Sequence, residues 1–160
     1  MSTDTQPVSR GRSSSGGFGR FCQSILLLLI RIYFFLQLFK IGRAKLEHID
    51  TVIGYFTKLG IPYPDINAWV VGATECFGGI LILAGLASRL AAIPVTIAMA
   101  VAYWLGDQDA VLNIWGHPDK FVKAAPFPFF LAALIILCFG PGWFSLDAIL
   151  GRLFRRKSEE

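Results

Sequence analysis

Glu75 and Arg31 are the residues whose type and setting point most directly to chemistry, each a lone charge inside a long apolar run. Glu75 stands near the middle of AWVVGATECFGGILILAGL, residues 68–86, a stretch long enough to cross a bilayer. An ionisable group at that depth is expensive unless it meets a partner or a wet cavity, which makes it a functional candidate by default. Gly72, Gly78 and Gly79 lie three or four residues from it. On a helix they form a small-residue stripe of the kind along which membrane helices approach closely. The carboxylate is therefore expected to face other helices rather than lipid. Arg31 interrupts FCQSILLLLIRIYFFLQLF, residues 21–39. A carboxylate and a guanidinium in one apolar bundle could form a quinone or proton-handling site. The same two groups could instead be a structural ion pair locking their helices together.

The other candidates are weaker. Lys45 follows the first apolar run and could attract an anionic group, though a lysine there also snorkels to the interface without further purpose. His48, Asp50, Asp107, Asp109, His117 and Asp119 are metal-ligand types without zinc-type spacing, so no metal site is expected. Cys22, Cys76 and Cys138 show no CxxC and read as packing residues. There is no GxGxxG, no phosphate-binding loop and no Ser/His/Asp arrangement. The chain is expected to carry no cofactor of its own, and redox work would need a lipid-soluble carrier such as a quinone, or a partner subunit.

The elements that must position these residues follow from composition. The chain is 54% hydrophobic and 16% charged, and its apolar residues come in blocks, which places it among membrane proteins. The net charge of +4 comes from basic residues at the chain ends and beside those blocks, so it argues for membrane lipids as partners and against nucleic acid. Residues 1–20 read as a disordered tail, 21–150 as one membrane domain and 151–160 as a basic tail. The fold class is all-α: a four-transmembrane-helix bundle with spans at 21–39, 68–86, 90–106 and 124–140. Residues 40–67 read as an outer loop in which Ile49, Val52, Ile53, Tyr55 and Phe56 form a short interfacial helix. Lys and Arg outnumber on the side that holds both termini, and this predicts cytoplasmic termini in a multi-pass protein. With span one starting at residue 21, Arg31 would lie ~15 Å and Glu75 ~20 Å from the inner face, close enough to pair.

These residues resemble the DoxX family of small bacterial four-helix membrane proteins over about residues 27–150. The resemblance rests on Arg31, on Gly42 and Lys45 in G-x-x-K, and on Leu59, Gly60, Pro62 and Pro64 in LGxPxP. It continues through Glu75, Gly78 and Gly79 in E-x-x-G-G, and through Gly85, Leu86 and Arg89 in G-L-x-x-R. Gly140, Pro141, Gly142, Ser145, Leu146 and Asp147 close it as G-P-G-x-x-S-L-D. Phe35 and Trp143 depart from the pattern, where glycine and arginine are common. The resemblance implies a bacterial inner-membrane protein with redox associations, one branch resembling a subunit of thiosulfate:quinone oxidoreductase. A soluble or membrane oxidoreductase subunit is then the expected partner, and a homo-oligomer is compatible. The candidate pocket is Arg31, Glu75 and Lys45, with Gly72, Gly78, Gly79 and Gly85 as helix-packing positions. A non-catalytic scaffold or small-lipid-binding protein is the alternative.

Overall fold

Apolar runs that cannot satisfy their backbone groups with water must close hydrogen bonds internally, and helices do so within one segment. The computed structural model describes residues 15–150 and holds no strand among them. Helix α1 (Ser15–Ile30) passes through a π-helical turn, Arg31–Phe35, into α2 (Leu36–Glu47). The three form one rod. After His48 the chain turns into α3 (Ile49–Lys58), then through a Gly60 and Pro62 turn into α4 (Pro64–Ala84). A short turn leads to α5 (Ser88–Gly106), and α6 (Gln108–Leu112) and α7 (Pro118–Lys123) lead to α8 (Phe127–Phe139). Residues 146–150 add a last helical turn. Residues 1–14 and 151–160, which hold most of the first tail and all of the second, lie outside the described residues.

Among the described residues three helices are long and apolar enough to cross a membrane: Gly17–Glu47, Pro64–Ala84 and Ser88–Gly106. The fourth apolar helix, α8, has 13 residues. The first rod departs from the expected boundaries at both ends, since it begins at Ser15 and runs through residues 40–47, read above as loop. The reason is local. No proline interrupts residues 21–47, and Lys40, Arg43, Lys45 and Glu47 are good helix formers, so the charges mark a change of surroundings rather than a helix end. Ile49–Lys58 is a helix, within the region expected for one.

The core runs between α2, α4, α5 and α8. Phe35, Leu38, Ile82, Val95, Met99, Ala133 and Ile136 are buried there, while Leu26, Leu29, Tyr33, Phe77, Leu90 and Ile97 are exposed on the outside. An apolar exterior around an apolar core suits a protein solvated by lipid. The closest approach is between α2 and α4, and glycine makes it possible. A Cβ on Gly42 would strike the backbone of Glu75 and Cys76, and one on Gly79 would come within 2.9 Å of the Phe39 nitrogen. Gly72 faces Leu46 of α2, whereas Gly78 faces Val95 of α5.

Candidate functional site

On α4 the buried positions Ala68, Gly72, Glu75, Gly79 and Ile82 recur every three or four residues, so they form one stripe. On the opposing rod Arg31, Phe35, Leu38 and Gly42 are buried at the same kind of spacing. Lys45 is the next position of that stripe. It reaches across to Glu75, with Nζ 2.6 Å from Oε1. Glu75 is only 3% exposed and the lysine side chain 31% exposed, so the carboxylate lies inside and the ammonium at the edge. Glu75 Oε2 meets no hydrogen-bond donor among the described residues.

The pairing of Arg31 with Glu75 expected from the sequence is not formed. Arg31 sits level with Ile82 and Leu83, two turns further along α4, which is ~10 Å at 1.5 Å per residue. The axial estimate fails because the rod runs on to Glu47 and its height against α4 is set by the close fit at Gly42 and Gly79, which leaves Arg31 beside the last turn of α4. Arg31 donates instead to four carbonyls: Nε to Ile82 at 2.8 Å, Nη2 to Leu83 at 2.7 Å, and Nη1 to Pro141 at 2.9 Å and Phe144 at 2.8 Å. Carbonyls in the last turn of a helix lack the usual N–H partner four residues on, Ile82 taking only a tighter 3.1 Å bond from Gly85 N–H, and the planar guanidinium fork serves several at once. A cation there also complements the negative end of the helix dipole. Gly85 ends α4 at φ 76°, and a Cβ there would strike the Arg31 guanidinium. Phe35, which stands where glycine is common, is fully buried in the π-turn with its carbonyl oxygen facing Gly79.

The G-P-G-x-x-S-L-D segment completes this end of the bundle. The Asp147 carboxylate accepts from the backbone N–H of Ala87 at 2.9 Å and of Ser88 at 3.4 Å, capping the start of α5. Its own N–H donates to the Gly85 carbonyl at 3.0 Å. Ser145 caps the final helical turn by accepting from Ala148 N–H at 3.2 Å. Arg89 donates to the Cys138 carbonyl at the end of α8 at 3.2 Å. Cys22 and Cys138, expected to pack, are exposed, and all three cysteines are free.

Lys45 and Glu75 open onto a cavity of about 390 Å³ between α2, α3, α4, α5 and α8. That volume suits a small-molecule ligand. Its walls are mainly apolar, among them Leu38, Val71, Met99, Ala102 and Phe129. Tyr55 on α3, Leu59 just after it, and Val101 and Leu105 on α5 line it and are also exposed, so apolar residues edge the cavity between those two helices. Asn67 also borders it, but its amide donates to the Pro62 carbonyl at 2.7 Å and the Tyr63 carbonyl at 3.4 Å. Arg31 does not line this cavity. The sequence signal for the true partner was the spacing Leu38, Gly42, Lys45, which reads as one helical stripe once residues 40–47 are placed on the first helix.

A helical bundle with an apolar exterior, three helices long enough to span a bilayer among the described residues, and a part-buried ion pair facing a mainly apolar cavity defines a small all-helical membrane protein. The DoxX family profile matches residues 26–108, and the chain belongs to the DoxX family. It is 32% identical to the inner membrane protein YphA of Escherichia coli (strain K12) over 133 residues, 77% of this chain and 89% of that protein. It is 30% identical to the uncharacterized membrane protein Rv3486 of Mycobacterium tuberculosis (strain ATCC 25618 / H37Rv) over 135 residues, 79% of this chain and 82% of that protein. A shorter match, 32% over 66 residues, covers 41% of this chain and 48% of a Bacillus subtilis (strain 168) protein, CatD, named provisionally as an oxidoreductase. No solved structure matches the chain.

Proposed function

We propose that this DoxX protein is a subunit of, or anchor for, a membrane redox system, and that its Lys45–Glu75 cavity holds a quinone-type lipid-soluble carrier. The observation that carries the reading is a buried carboxylate with one oxygen paired and the other unpartnered among the described residues, set in a mainly apolar cavity edged by exposed apolar side chains. Buried polar groups are as a rule satisfied, and an exception invites a ligand. A ring with polar substituents and an apolar tail fits such a place: the head meets Lys45 and Glu75, and the tail leaves between α3 and α5. The name carried by CatD is consistent with a redox association. In this reading α8 is the fourth span, packed along α5. The α3 helix lies at the outer interface, and both termini face the cytoplasm of a bacterial inner membrane.

Arg31 has a different role. With four carbonyls answered and no edge on the cavity, it is a structural clamp, and the scaffold reading applies to that end of the molecule rather than to the Glu75 end.

The test is purification from native membranes into lipid nanodiscs, followed by solvent extraction and by electron-transfer assays with the proteins that co-purify. Quinone retained by wild type and lost in Ala102→Trp, where the indole would occupy the cavity, supports the proposal. Equal retention in both, or none in either, overturns it.

A further inference from the structure

The chemistry of the two charged groups says more than that a polar head fits. An ionised carboxylate only accepts hydrogen bonds, and an ammonium only donates them. Glu75 Oε1 already accepts a hydrogen bond from Lys45, so the group left for a ligand is the Oε2 acceptor. Lys45, with three donors and one used here, has further N–H bonds to offer. Two other polar groups on the wall change little. Asn67 is turned to the Pro62 and Tyr63 carbonyls, and Asp107, at the far end beside Gly106, offers a further carboxylate. The Tyr55 hydroxyl belongs to a half-exposed ring at the mouth and makes no bond to Glu75.

A ligand that satisfies this pair must therefore donate to Oε2 while accepting from Lys45. A hydroxyl does both. A ring carbonyl accepts only, so it can meet Lys45 but leaves Oε2 unanswered and sets its own lone pairs near a carboxylate. Resting on the reading above that the cavity holds a ligand of this kind, we propose that it selects the reduced, hydroxyl-bearing form of its carrier over the oxidised, carbonyl form. The selection is one of binding, set by hydrogen-bond polarity, and requires no electron to pass. A hydrogen bond to a charged acceptor, present for one form and missing for the other, corresponds to a preference of ~10-fold or more.

The experiment uses full-length protein in phosphatidylcholine nanodiscs, with empty nanodiscs and Ala102→Trp nanodiscs as partition controls. Two matched ligand pairs are titrated: decylubiquinol against decylubiquinone, and 4-decylphenol against its methyl ether. The second pair has no quinone couple, so it isolates the donor from redox chemistry. Binding ~10-fold tighter for the quinol and for the phenol is the expected result. The double variant Lys45→Met/Glu75→Leu, which leaves neither charge unpaired, should then bind both members of each pair alike. Equal affinity within the pairs in wild type, or tighter binding of quinone and ether, overturns the selectivity while leaving the cavity a ligand site. No binding of any probe above the two controls overturns the site itself.

Discussion

Gly42 lies directly against the backbone of Glu75, with no room between α2 and α4 for a methyl group. That contact sets the height at which Lys45, one turn further along, meets the carboxylate. Gly42→Ala should force the two helices apart, and overpacking of this kind destabilises by ~1–3 kcal/mol. Its thermal unfolding midpoint in detergent should fall clearly below wild type. An unchanged midpoint would show that the two helices separate at little cost.

Lys45 and Glu75 should be coupled. Removing the lysine leaves a buried carboxylate without its cation, a change that reaches ~3–5 kcal/mol for fully buried pairs and less here because the lysine is partly exposed. Lys45→Met alone should therefore destabilise more than Lys45→Met combined with Glu75→Gln. A double-mutant cycle on thermal unfolding measures the difference, and strict additivity would refute a direct interaction.

Arg31 should be more sensitive to shape than to charge. Lysine keeps the charge but cannot span carbonyls on α4 and on the Pro141–Phe144 turn with one ammonium. Arg31→Met removes the donor from four carbonyls, three of them part-buried, at up to ~1–3 kcal/mol each, so it should lower the yield of folded protein sharply, with Arg31→Lys intermediate. Because Arg31 is off the cavity, the Arg31→Lys protein that does fold should bind ligand as wild type does. Ligand affinity that drops in proportion to the loss at Lys45→Met would contradict this separation.

Asp147 caps α5 from a segment far along the chain, and loss of a helix cap costs ~1 kcal/mol. Asp147→Ala should lower the unfolding midpoint, while Asp147→Asn, which keeps an accepting oxygen, should restore most of it. Limited proteolysis around residues 140–150 offers a second readout, with faster cleavage expected for the alanine variant alone. Equal behaviour of the two variants would point to charge rather than to the cap.

The sequence by itself determined the class of this protein. Apolar blocks longer than a soluble core requires dictate membrane helices, although α4 starts at Pro64, four residues before the span expected at residue 68 and inside the expected loop. It also singled out Glu75, because a carboxylate among small residues in such a block is costly wherever it points. What only the tertiary structure decided is who answers it. Partner choice depends on the relative height of two helices, and that height is fixed by the fit of Gly42 and Gly79 against a neighbouring backbone rather than by any residue's own preference. Two turns of offset gave Lys45 to Glu75 and sent Arg31 to the carbonyls that end α4.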